Sequence, residues 1–108
     1  MSRHIVHTHR DQVPVRVEAG YDRPLRTLYV QIWEAPEWHP LWDQSVLYAS
    51  HLDRHRDWSD VGSVAEVLDK LHIPVPDDLY DGLLEDQCLH HGNRLVHYPL
   101  VPLVASPH

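Results

Sequence analysis

The sequence predicts an α+β domain: a small antiparallel sheet of about four strands, in the order β-β-β-α-α-β, with two helices packed on one face. Three observations carry this prediction. Residues 13–17 and 27–33 alternate apolar and polar side chains with period two, the mark of half-buried strands. Residues 64–71 and 79–88 instead return apolar side chains every three or four positions, as one face of a helix does. Proline, glycine and charge clusters fall between these segments, where turns belong.

The first strand is expected over VPVRVEA, where Val13, Val15 and Val17 alternate with Pro14, Arg16 and Glu18. Pro14 has no N–H to donate, which places this strand at an edge or leaves its start unpaired. The second strand is stronger: Leu28, Val30 and Ile32 alternate with Tyr29, Gln31 and Trp33. Between them stands GYDRPL, residues 20–25. Gly20 can take positive φ freely, Asp22 can accept backbone N–H bonds in a turn, and Pro24 holds Arg23 extended. Turn formation therefore accounts for three of these residues and leaves Tyr21 and Arg23 unexplained.

APEWHPLWDQ reads as a loop, and SVLYAS (45–50) as a third, short strand. Ser63 followed by Glu66 has capping-box spacing and opens a helix whose buried face is Val64, Val67, Leu68 and Leu71. Pro74 and Pro76 stop it. A second helix begins near Pro76, with Asp77 and Asp78 suiting a positive N-terminus. Its buried stripe is expected to be Leu79, Tyr80, Leu83, Leu84 and Cys88, and Gly92-Asn93 its stop. RLVHYPL (94–100) is the last strand. The chain reads as one domain, with residues 1–10 and 99–108 as extended or flexible ends.

Composition narrows function. At 108 residues with 43% hydrophobic content, the chain is long enough for one modest core. No apolar run approaches the roughly 20 residues that span a bilayer, and MSRHIVHTHR lacks the apolar centre of a signal peptide. Cys88, the single cysteine, has no disulfide partner, so a reducing cytoplasm is the expected location. The net charge of −7 makes nucleic acid an unlikely direct ligand, because phosphates demand a basic surface. It suits a protein that meets another protein or a second copy of itself, with no membrane involved.

The run AGYDRPL, LYVQIWE, LYAS, VLDKLHIPVPDDLYDGLLED and GNRLVHY resembles a family of small uncharacterised bacterial proteins. The resemblance covers roughly residues 17–98. Members share a GYDRPL turn, an LGI-x-(V/L)-P-like step after a helix and a late GN pair. His72 stands here in place of that step's glycine, and the Trp- and Pro-containing segment 36–42 is not part of the pattern. The resemblance implies a recurring fold and brings no activity, cofactor or catalytic residue with it.

Two sets of residues could carry function. Histidine is enriched, 11 of 108 residues. His7 and His9 lie two apart, so on a strand both face one way; His90 and His91 end a helix. Together they are the candidate ligands for zinc or another divalent metal, and a metal-dependent hydrolase is the reading from another class. The simpler reading is that His90 and His91 cap a helix end while His7 and His9 are solvated, with no cofactor. The second set is Tyr21, Arg23, Trp38 and Trp42, candidates for binding. Tryptophans in a Pro-rich loop suit a contact surface or a lid, and Arg23 could grip a small anionic ligand. Serines lack a nucleophile elbow, so no catalytic residue is assigned. A non-catalytic protein-binding or regulatory module is the expectation.

Overall fold

A computed structural model describes residues 1–34, 45–53 and 55–101. It has five strands and two helices: β1 Ser2–Arg10, β2 Val13–Asp22, β3 Thr27–Glu34, β4 Ser45–Ala49, α1 Val61–Lys70, α2 Asp77–Leu89 and β5 Arg94–His97. The α+β class and the two helices on one face agree with the sequence-based expectation. The sheet, however, has the order β4-β3-β2-β1-β5 and is mixed, because β5 runs parallel to β1. The supposed N-terminal extension is in fact β1, lying between β2 and β5. A two-residue turn joins β1 to β2, with Asp11 and Gln12 both at positive φ, 49° and 69°. That backbone matches the twist of a tight hairpin. β2 is consequently interior rather than an edge strand, with Pro14 at its second residue opposite His9.

Side chains of Ser2, His4, Val6 and Thr8 point toward the helices. His4 bonds to Asp86 of α2, Val6 lies in the apolar core, and Thr8 donates to the carbonyl of Pro74. By the alternation of a strand, Arg3, Ile5, His7 and His9 project from the other face. Val15, Val17, Ala19 and Tyr21 of β2 and Leu28, Val30 and Ile32 of β3 continue the covered face. Val64, Val67 and Leu68 of α1 and Leu79 and Leu83 of α2 close over it.

Local signals differ from expectation in four places. α1 starts at Val61, and its cap is Asp60, which accepts the N–H of Gly62 at 2.9 Å. Ser63 instead donates to the carbonyl of Asp57, and Glu66 pairs with Arg56, so the Ser63–Glu66 capping box does not form. On α2, Leu84 and Cys88 are exposed. The inward positions run Leu79, Leu83, Asp86, a four-then-three spacing that puts a carboxylate where cysteine was expected. The left-handed residue ending α2 is His90, with φ 55°, while no glycine has positive φ. Gly20 is likewise not the turn's left-handed residue; Arg26 is, with φ 54°. Asp22 does serve the turn, accepting the N–H of Leu25.

α1 ends in a paired hydrogen-bond motif. His72 N–H donates to the carbonyl of Asp69 and Ile73 N–H to that of Leu68, with His72 at φ 57°. This pattern favours glycine at the left-handed position. His72→Gly is therefore expected to raise stability by about 0.5–1 kcal/mol, relief of left-handed strain outweighing the added freedom of the unfolded chain. Urea titration with an unchanged slope would check it; a destabilised variant would mean that the imidazole makes a compensating contact.

Candidate functional site

Two regions of the fold collect groups with chemical capacity. The first lies beneath α2, where the strand face that should be apolar is polar. Ser2, His4 and Asp86 are fully buried. Asp86 accepts from His4 Nε2 at 2.5 Å, His91 Nδ1 at 2.9 Å and Arg94 NH1 at 2.7 Å, and from the Ser2 hydroxyl. Four donors meet a carboxylate that offers about four lone-pair sites. Burial pushes the Asp86 carboxyl up, but the bonds from Ser2, His4 and His91 prevail and hold it below its ordinary value. It is thus an ionised acceptor, and His4 must carry its proton on Nε2.

The other His4 nitrogen, Nδ1, lies 2.8 Å from the Tyr98 hydroxyl. Their rings stack with centroids 5.8 Å apart. Gly82, inside α2, makes room for this contact: a Cβ there would stand 2.7 Å from the Tyr98 oxygen and 2.9 Å from His4 Cε1. Carboxylate, imidazole and hydroxyl stand in the order of a proton relay. Burial, however, pushes the Tyr98 phenol up, and the nearby Asp86 carboxylate reinforces that against Arg94. The hydroxyl therefore keeps its proton and is a poor nucleophile. Fully satisfied, the network ties β1, the end of α2 and the start of β5 together.

Tyr21 and Arg23 brace the same corner from the hairpin. Tyr21 is 3% exposed, its N–H donates to Ser2 Oγ, and its hydroxyl meets His90 Nδ1 at 2.9 Å. Arg23 lays its guanidinium across Gly92, with NH1 3.2 Å from where a Cβ would stand. The GYDRPL turn thus meets the end of α2 and the late GN pair in space, Tyr21 at His90 and Arg23 at Gly92. Tyr21 is a core residue rather than an exposed grip for a ligand.

The histidines proposed as metal ligands are dispersed. His7 lies exposed on the uncovered sheet face and His9 shares that side, whereas His90 faces Tyr21 and His91 faces Asp86. Arg94 stands 3.0 Å from His91 Nδ1, a cation that a metal ion would have to displace. Among the described residues no group of three or more His, Cys, Asp or Glu side chains could hold a metal. Trp38 and Trp42 lie outside the described residues. Of the other tryptophans, Trp33 carries the Arg16 guanidinium 4.6 Å above its ring, and Trp58 packs against the core while its indole N–H donates to Asp53.

The second region is a cleft of about 460 Å³ at the β2–β3 hairpin end of the uncovered face. Glu18, Tyr29 and Gln31 come from neighbouring strands, Asp22, Leu25 and Thr27 from the hairpin, and Ser50, His51 and Trp58 from the segment after β4. Glu18 is bound by Arg3, at 3.3 and 3.1 Å. The Tyr29 hydroxyl donates to the Ser2 carbonyl; burial first, then the charge of Glu18, pushes its pKa up. Sequence reasoning missed Ser2, His4, Tyr98 and the cleft. The one available signal was parity: Ser2, His4, Val6 and Thr8 share a strand face, which makes His4 rather than His7 the inward histidine.

No helix among the described residues is long and apolar enough to cross a membrane. No family model, curated protein or solved structure matches this chain.

Proposed function

We propose that this chain is a non-catalytic, cytoplasmic binding domain, and that it engages a protein partner through the cleft on the uncovered sheet face. The observation that carries this reading is the cleft itself. Its 460 Å³ falls in the range of about 300–1,000 Å³ typical of ligand sites, and it mixes apolar walls with a few convergent polar groups. The side chains best suited to proton transfer, His4, Asp86 and Tyr98, are bonded to one another beneath the helices. They support the fold, and the open face remains for recognition.

A fragment screen against isotope-labelled protein tests the reading. Bound fragments are expected to shift the amide resonances of Asp22, Leu25, Thr27, Tyr29, Gln31 and His51. Hits that map instead to α2 or to the β5 edge, leaving these six unmoved, would overturn it.

A further inference from the structure

We infer that the cleft recognises a basic side chain, a lysine or arginine of the partner protein, with Asp22 as its charged anchor. This rests on the binding-domain reading and gives it a chemistry. Among the described residues, the lining includes two carboxylates, Glu18 and Asp22, and no lysine or arginine. The two acids are not equivalent. Glu18 already holds Arg3 and faces the Tyr29 hydroxyl at 3.4 Å. Among the described residues, Asp22 accepts only the N–H of Leu25, at 3.3 Å, and no cation pairs with it. The N-terminal ammonium, on the Met1 that borders the cleft, is held by Asn93 Oδ1.

Around this open carboxylate the cleft supplies what a basic side chain needs. Leu25, exposed at the cleft, can cover an aliphatic stem. Gln31 offers a neutral acceptor, and Tyr29 and Trp58 make part of the wall aromatic, a surface that suits a cation better than an anion. The volume exceeds one side chain, so the flanking backbone of a peptide fits as well. The whole protein carries a net charge of −7, which draws a basic partner and repels an acidic one.

The test uses three blocked amino acids, Nα-acetyl-N-methylamides of lysine, norleucine and glutamate, titrated into the intact chain and followed at the cleft resonances. The norleucine compound keeps the stem and lacks the charge. The lysine compound is expected to bind about tenfold more tightly than norleucine, one charge-assisted hydrogen bond's worth, and glutamate not to bind. Asp22→Asn retains an oxygen for the Leu25 N–H, so the turn persists, and it should reduce lysine to the norleucine level. His51→Glu, on an exposed rim position, should tighten lysine binding severalfold. Equal binding of norleucine and lysine, preference for glutamate, or indifference to both substitutions would overturn the inference. Fragments that bind the cleft while lysine does not would refute the charge preference alone. A cleft that binds nothing would refute the binding-domain reading too.

Discussion

Asp86→Ala is expected to cost about 3–5 kcal/mol, the usual penalty for removing one partner of a buried charged pair. Against a total stability of about 5–15 kcal/mol for a domain of this kind, the variant should be largely unfolded on mild heating. The reason is specific. The carboxylate takes bonds from Ser2, His4, His91 and Arg94, and His4 has no exposure through which water could replace it. Alanine orphans several donors at once, whereas two apolar partners of matching shape would not. The same group confers acid sensitivity. Its carboxyl titrates below the ordinary 3.8 in the folded protein, so its contribution is complete above about pH 5 and disappears as pH falls through the depressed native value. Melts between pH 6 and pH 2.5 should show Asp86→Asn losing less stability on acidification than the wild type. Asp53 and Asp57, lowered by bonds from Tyr48 and Ser59, persist in that variant, so its slope should shrink rather than vanish. An identical acid slope in both proteins would contradict the assignment.

Gly20→Val should be nearly as damaging, at about 3 kcal/mol or more, the upper part of the range for forcing atoms into a packed site. Gly20 sits opposite Tyr29 in the β2–β3 ladder. A Cβ there would overlap the carbonyl oxygen of Ser2 and approach Tyr29 Cε1 at 2.7 Å. The tyrosine ring can swing; the Ser2 carbonyl belongs to β1 and cannot, so relief requires β1 to part from β2. Ser2 also holds Tyr21 and Asp86, which couples this clash to the polar network. Far-UV circular dichroism during denaturant titration would reveal the loss. A variant as stable as the wild type would mean that Gly20 is present for some reason other than close approach.

Much of the fold was legible because burial writes a pattern. β2 and β3 alternate cleanly, and α1 carries Val64, Val67 and Leu68 on one face, so strands and helix could be read from period alone. β1 escaped for a physical reason. Its inward positions are Ser2, His4, Val6 and Thr8, three of them polar, so the alternation that signals a half-buried strand is erased where the network replaces apolar packing. The parallel pairing of β5 with β1 was equally hidden, since pairing is a relation between distant segments and leaves no mark within either. His4 meets Asp86 and Tyr98 across 82 and 94 residues, and no spacing rule spans such separations. Tyr21 and Arg23 were legible only as residues that a turn did not need. Their purpose became plain once His90 and Gly92 lay against them.

The central claim is a division of labour, in which the covered polar network stabilises and the open cleft binds. It is tested most directly by thermal melts of wild type, Asp86→Asn and Asp22→Asn, each with and without the blocked lysine compound. The account predicts that Asp86→Asn melts well below the wild type yet gains the same ligand-induced increase in Tm, while Asp22→Asn melts like the wild type and gains none. A normal ligand response in Asp22→Asn, or its loss in a folded Asp86→Asn, would contradict it.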